Sequence, residues 1–277
     1  MPMYTPDAGP ILPEEVSALV VQPVISAAIA TQTATVVTTG THTFRIPRVL
    51  EDPSAQWVAE GQEITPDDMT LDEIDVTPSK VAGLTIISRE LADDSDPAAN
   101  NVVGDGLARD IARKVDAAFF GALAAPAPSG LAALTGTTAV AAGASFANLD
   151  PFAAAMSEAE QLGATLTAFV ANPADALALA QLKDASGSNR PLLGVDPTQP
   201  TRRTIFGVPL YVSPDVTAGT VWGYDRAKVW VVLRDDAKIE VDRSVYFTSD
   251  RVAIKATMRV GFAFTQPATV VEITTGA

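Results

Sequence analysis

The sequence predicts a mixed α+β fold, and three observations carry this prediction. Apolar residues recur at helical spacing over residues 97–124, helix and strand signals alternate over residues 146–234, and strand-like alternation fills residues 235–277. Apolar residues make up 47% of the 277 positions and charged residues 19%, as in ordered globular chains. A chain of this length can form one large domain or two smaller ones.

The clearest single element is a long amphipathic helix over residues 97–124. Asp96 stands at an N-cap position and Pro97 follows it, and both residue types favour the beginning of a helix. At 1.5 Å per residue the helix would be about 42 Å long. One buried stripe is predicted from the residues at helical spacing: Val103, Leu107, Ile111, Val115, Phe119 and Leu123.

An acidic stretch, residues 57–91, is predicted to form one long β-hairpin that turns at Pro66-Asp67-Asp68. Its returning arm, residues 71–88, would span about 55 Å at 3.3 Å per residue. Because an isolated two-stranded hairpin is marginally stable in water, we expect it to lie on another surface. No basic residue accompanies the seven acids that precede Lys80, which are Glu60, Glu63, Asp67, Asp68, Asp72, Glu73 and Asp75.

The remaining segments complete the predicted organisation. Residues 1–48 are expected to form an arm rather than part of a core, with a short helix that Pro23 ends. Residues 146–234 predict a sheet with helices packed on it, because Asp150-Pro151 and Asn172-Pro173 begin helices and residues 165–171 form a strand pattern. The strands of residues 235–277 are expected to return to the long helix, which makes the middle block an insertion.

Charge and composition exclude several classes of protein. The net charge of −14 argues against direct DNA binding, which requires Lys and Arg at phosphates. The absence of cysteine excludes disulfides and thiolate metal sites. The first basic residue is Arg45, and the apolar stretch 16–30 is too short to span a bilayer, so no signal peptide or membrane span is predicted. We therefore expect a soluble chain made in a cytoplasm.

No catalytic or cofactor site is predicted. His42 is the only histidine and lies between threonines in the arm, where a solvated side chain is expected. Asp235 and Asp236 are expected in a solvated turn at a strand end. Ser186-Gly187-Ser188 lacks the Lys of a phosphate loop, and the acidic hairpin lacks the spacing of a calcium loop.

Three pairs of stretches, taken in order, resemble the major capsid protein of tailed bacteriophages, which has the Hong Kong 97 (HK97)-like capsid fold. They resemble, in turn, that family's extended loop with the start of its spine helix, the loop and hairpin of its axial domain, and the long strand of its peripheral domain. The pairs are residues 57–61 with 87–95, residues 187–193 with 205–213, and residues 252–262 with 266–268.

The resemblance implies a non-enzymatic subunit that self-assembles, as hexamers and pentamers, into an icosahedral shell enclosing double-stranded DNA without tight binding. It would be made in the bacterial host, without a membrane, and become part of the virion. Separate scaffolding, portal and decoration proteins are possible partners. The implied parts are an N-terminal arm (1–48), an extended loop (49–90), a peripheral domain (91–145 and 235–277, with spine helix 97–124) and an axial domain (146–234).

Two other classes of function stay open at this stage. An encapsulin-type nanocompartment subunit resembles the same fold, but the long N-terminal arm favours the phage protein. An unrelated soluble enzyme or binding domain is disfavoured by the lack of a catalytic constellation. Because only about 50 residues precede the loop, any scaffolding segment is expected to be a separate protein.

In the family that this chain resembles, the extended loop crosses near a neighbour's spine helix. The seven hairpin acids are therefore hypothesised to contact a neighbouring subunit at Arg109 and Arg113, which lie four residues apart on one helix face. The alternative is that the helix cations pair with Asp105 and Asp110 of their own helix. Some members cross-link their shells through a Lys of the loop. Such linkage is not expected here, because residues 57–79 contain no Lys.

Overall fold

A computed structural model describes residues 27–51, 53–88, 90, 98–185, 187–193 and 203–276. The α-helices in these ranges are α1 (Ile29–Thr33), α2 (Ala98–Phe120), α3 (Asp150–Gln161) and α4 (Pro173–Gln181). The strands are β1 (Thr35–Thr39), β2 (Phe44–Glu51), β3 (Thr70–Val76), β4 (Ser79–Ser88), β5 (Thr138–Ala141), β6 (Ala168–Ala171), β7 (Arg203–Ile205), β8 (Val208–Val212), β9 (Thr220–Tyr224), β10 (Val229–Tyr246), β11 (Arg251–Phe264) and β12 (Val271–Thr274).

A four-stranded sheet in the order β1-β10-β11-β4 carries the long helix α2. Strand β1 is parallel to β10, whereas β11 is antiparallel to both of its neighbours, β10 and β4. The predicted stripe packs into the largest core, where Ile111, Val115 and Phe119 are buried with Met258 and Val260 of β11. The stripe prediction is confirmed for these helix residues.

Helix α2 ends at Phe120, four residues earlier than predicted. The N–H of Gly121 still donates to the carbonyl of Ala117 (3.1 Å). The chain then folds back so closely that a Cβ at Gly130 would lie 2.0 Å from the carbonyl oxygen of Ala118. Leu123 therefore lies in a loop with 48% of its surface exposed, and its place in the buried stripe was wrong. The predicted cap, Asp96-Pro97, lies outside the described residues.

A second sheet, in the order β5-β12-β9-β6-β8-β7, packs with α3 and α4 around Phe152, Phe169 and Leu179. Both helices begin where the Asp-Pro and Asn-Pro pairs predicted, and the side chain of Asn172 caps α4 by accepting the N–H of Ala174 at 3.0 Å.

Two strands lie in a different sheet from the one that the sequence suggests. Strand β12 was expected among the strands that return to the long helix, but it pairs with β5 and β9 of the second sheet. The first residues of β10 were expected in the inserted block, but they pair with β1 and β11. The alternation of apolar residues predicts which face of a strand is buried, but it does not predict which strand pairs with it. The division into domains itself stays a prediction.

The acidic stretch divides between two sheets, so the single 18-residue arm predicted for residues 71–88 was wrong. Strand β3 pairs antiparallel with β2, from Phe44 opposite Val76 to Val49 opposite Leu71. Strand β4 instead pairs with β11 in the main sheet. The break falls at residues 77–78, where Pro78 has no N–H for a strand ladder. Residues 44–76 are called the ribbon below, and residues 53–69 are called its tip.

Residues 28–39 belong to the body of the subunit, in contrast to the arm predicted over residues 1–48. Ala28, Ala30 and Ala34 are fully buried in the main core, and β1 is an edge strand of the main sheet. Small side chains allow α1 to approach α2 closely, and a sequence of Ala and Thr gives little apolar periodicity by which to predict this. Residues 1–26 lie outside the described part.

Candidate intersubunit surface

Three of the seven predicted hairpin acids form ion pairs inside the ribbon, with two arginines between them. Arg45 of β2 lies 3.0 Å from Glu73 and 2.9 Å from Asp75, and Arg48 lies 2.6 Å from Asp72. Both arginines precede the stretch in which the sequence showed no basic residue. The signal that could have found them is the pair Arg45 and Arg48 among apolar residues just before the acidic stretch, because opposite charges stabilise cross-strand pairs.

The ribbon tip is held in shape by hydrogen bonds across the loop. The N–H of Ser54 donates to Asp67 (2.7 Å), and the Gln56 amide donates to the Thr65 hydroxyl (2.7 Å). A turn forms where the N–H of Gln62 donates to the carbonyl of Ala59, with a positive φ at the intervening Gly61. The turn predicted at Pro66-Asp67-Asp68 is therefore displaced toward the N-terminus.

Hydrogen bonds also explain the acidity of two ribbon carboxylates. The pKa of Asp67 is lowered chiefly by the backbone N–H of Ser54. The pKa of Asp72 is lowered chiefly by the side-chain hydrogen bond from Arg48. Both groups stay charged at neutral pH and already have partners within their own subunit.

The tip acids Glu60, Glu63 and Asp68 are exposed, and within the described ranges none of them forms an ion pair. Apolar side chains are exposed beside them: Trp57 fully, and Ile64 over 75% of its surface. A surface that mixes exposed carboxylates with a bare indole is typical of a contact region rather than of ordinary solvated surface.

Arg109 and Arg113 are exposed on α2. Among the described side chains they form no ion pair with Asp105 or Asp110, so the pairing within the helix is absent there. Arg113 instead interacts electrostatically with Asp215. Burial raises the pKa of Asp215, and the positive charges of Arg113 and Lys114 offset part of that rise. The subunit does not bring the ribbon acids and these arginines together, so their contact stays a hypothesis about two subunits.

A buried carboxylate that the sequence did not single out joins α1 to α2. Asp116 is 6% exposed and accepts the N–H groups of Ile29 and Ala30, both at 2.9 Å. Burial raises its pKa to about 6, against these two hydrogen bonds. Its place beside the buried Val115 was the available signal, because an acid next to an apolar stripe is close to the core.

The described residues form neither a metal-binding cluster nor a membrane-spanning helix. His42 is exposed in the turn between β1 and β2. Asp235 and Asp236 lie within β10, at a register shift against β11, and not in the predicted turn. In the described ranges no three metal-binding side chains cluster, and no helix there is long and apolar enough to cross a bilayer. Ser186 lies outside these ranges.

The long helix on a mixed, mainly antiparallel sheet, the second α/β unit and the projecting ribbon define a structural protein of the HK97-like capsid class. The model of the phage capsid family matches residues 8–274, and the chain therefore belongs to that family. It is a shell-forming structural subunit of a phage capsid, and the encapsulin alternative is not favoured.

Solved structures share the fold at low sequence identity. The capsid of a native GTA particle, computed with C5 symmetry, is 24% identical, with 89% of each chain covered and a TM-score of 0.71. A structure from Microbacterium phage Oxtober96 is 19% identical over 90% of this chain and 91% of that one, with a TM-score of 0.73. A structure from Mycobacterium phage Adephagia is 16% identical over 100% and 95%, with a TM-score of 0.73. No curated protein sequence matches this chain.

Proposed function

We propose that the subunit assembles through its ribbon, as hexamers and pentamers of a closed icosahedral shell around double-stranded phage DNA. The observation that carries this proposal is the exposure of every residue of the ribbon tip. A two-stranded ribbon with exposed apolar side chains gains stability only when another surface covers it. In a shell of identical subunits, that surface belongs to a neighbouring copy.

The unpaired tip acids are the charges that the ribbon can offer to a neighbour. Glu60, Glu63 and Asp68 are proposed to meet Arg109 and Arg113 on the α2 helix of the next subunit. The internal pairing of Asp72, Glu73 and Asp75 supports a division of roles, in which the acids of β3 stiffen the ribbon and those of the tip orient the contact. An exposed ion pair contributes about 0.2–1 kcal/mol, but a closed shell repeats it in every subunit.

The charge of the chain fits a container that does not bind its contents tightly. With a net charge of −14, the inner surface would on average repel DNA rather than adhere to it. Assembly is proposed to take place in the host cytoplasm, with separate scaffolding, portal and decoration proteins as partners. No catalytic activity is proposed.

Charge reversal tests the proposed contact. Arg109→Glu with Arg113→Glu is expected to leave a folded subunit, because both side chains are exposed. It is expected to weaken shell assembly, measured by light scattering and negative-stain microscopy. Adding Asp68→Lys should partly restore assembly in the double variant, whereas Asp68→Lys alone should not improve it. Shells of normal yield and salt tolerance from the double variant would refute the contact with these arginines.

A further inference from the structure

An apolar groove of about 360 Å³ lies between β4, the end of α2 and the loop that follows it. The helix ends early, and the loop residues 121–130 fold back beside it to form one wall. Leu123 contributes an exposed apolar side chain to this wall. The other apolar lining includes Val81, Val115, Ala118, Pro126 and Val260.

Two lysines also line the groove, and both are exposed: Lys80 on β4 and Lys114 on α2. No acidic side chain is among the described residues that line the groove. The site therefore suits an apolar group that brings negative charge with it.

We propose that this groove binds Trp57 from the ribbon tip of a second copy of the chain, an inference that rests on the proposed function. Trp57 is fully exposed in the isolated subunit. Covering a Trp side chain buries about 150–250 Å² and makes it a frequent energetic anchor of interfaces. In the groove the indole would pack on Val81 and Leu123, with an ammonium of Lys80 or Lys114 near its ring face.

The charges around Trp57 match those of the groove. The tip contains four acids and no Lys or Arg, and Glu60 lies three residues from the indole. An acidic tip that meets a lysine-lined groove gains orientation and a faster encounter, while the indole provides the desolvated centre of the contact. The ribbon tip of one copy thus supplies both the apolar anchor and the acidic rim of the contact, and the groove of the other copy supplies the apolar pocket and the lysines.

The length of the ribbon places Trp57 far from the groove of the same chain, so the groove that it enters must belong to another copy. The ribbon leaves the body at Val76 and Pro78, immediately before Ser79 and Lys80, which line the groove. The seven residues of β3 extend about 23 Å from that root at 3.3 Å per residue. Tip and groove therefore lie at opposite ends of the ribbon. A tip that enters the next groove makes a head-to-tail contact, and such contacts form a ring when the rotation from one copy to the next closes.

Disulfide trapping tests the proposal, because the chain contains no cysteine. In a Val58→Cys, Ala124→Cys variant, Trp57 is kept and the new thiols lie beside the anchor and in the groove wall. A disulfide requires the two Cα atoms within about 7 Å. Mild oxidation of assembled particles is expected to give a ladder of linked chains on a non-reducing gel. The matched control is Val58→Cys with Ala122→Cys, which is exposed on the same loop but does not line the groove.

Each outcome decides the proposal. A ladder from the groove pair but not from the control supports it. Intact particles with no ladder, an equal ladder from the control, or a disulfide within one chain would overturn it and leave the proposed shell function standing. Failure of the unmodified chain to form particles would instead count against the proposed function.

A second measurement applies if the double-cysteine variant does not assemble. The fluorescence of Trp57 is obtained as the difference between the unmodified chain and Trp57→Phe, because Trp222 and Trp230 contribute to both. On assembly this difference spectrum is expected to shift to shorter wavelength and to lose quenching by acrylamide. The further change Ala124→Asp places a negative charge in the groove wall and should abolish that shift. An unshifted spectrum, or a shift that Ala124→Asp leaves intact, contradicts the proposal.

Discussion

The backbone N–H of Ala30 donates a 2.9 Å hydrogen bond to Oδ1 of Asp116, which is 86 residues further along the chain. The second oxygen of the same carboxylate accepts the N–H of Ile29. Residue 28, the N-cap of α1, has no capping side chain, so α2 supplies the cap from outside. The start of the described chain is thereby fixed to the long helix.

Replacing Asp116 with Asn is expected to change how stability depends on pH. The pKa of Asp116 is raised to about 6, above its ordinary value in an unfolded chain. Between about pH 4 and pH 6 the folded state therefore holds a proton that the unfolded state has lost. The stability from this group is complete at the acid end and is lost as pH rises toward 6. Asp116→Asn should remove that decline, which is on the order of 3 kcal/mol.

The measurement is chemical denaturation of the unassembled subunit from pH 4 to pH 7. Asp215→Asn is the comparison variant. Burial also raises the pKa of Asp215, and the charge of Asp215 contributes to the raised pKa of Asp116, so this variant should reduce the decline only in part. Asp215 makes no hydrogen bond to α1 in the described part of the structure. An unchanged pH dependence in Asp116→Asn would show that this carboxylate does not titrate as proposed.

Gly261→Ala is expected to destabilise the root of the ribbon. A Cβ at this position in β11 would lie 2.6 Å from Cγ1 of Val76 and 3.4 Å from Cα of Pro78. The ribbon packs directly on the sheet there, so the added methyl group should cost about 1–3 kcal/mol through overpacking. Gly40→Ala is the matched control, because no atom lies within 4 Å of its added Cβ. Equal denaturation midpoints for the two variants would contradict this packing.

Assembled particles are expected to dissociate completely into 28.8 kDa chains on a boiled denaturing gel. No Lys lies between Trp57 and Ser79, and Lys80 is held in β4 of the main sheet rather than in the exposed tip. A ladder of covalent oligomers that survives boiling and reduction would show that another pair of side chains cross-links the shell.

The protein is expected to bind duplex DNA weakly, and without sequence preference, at physiological salt. Its net charge of −14 opposes the counterion release that drives DNA binding. Filter binding or fluorescence anisotropy with a short duplex measures this directly. Sub-micromolar affinity would contradict the view that the shell encloses DNA without gripping it.

Local patterns determined the helices and most strand positions, and the resemblance of a few stretches to a known family indicated the class of the protein. The stripe through Ile111, Val115 and Phe119 was readable because a helix repeats its buried face at a fixed spacing. Asp150-Pro151 and Asn172-Pro173 marked helix starts because capping and proline geometry act over a few residues. The acidity of the ribbon and the lack of cysteine are likewise properties of composition.

Only the tertiary structure decided which distant segments meet. Pairing of β2 with β3 places Arg45 and Arg48 against the ribbon acids, and pairing of β4 with β11 removes half of the expected arm. Asp116 finds its partners 86 residues away, at α1. Such contacts depend on closing long loops and on packing between faces, and neither leaves a periodic signal in the chain. The groove beside Leu123 exists because the helix ends before the apolar pattern does.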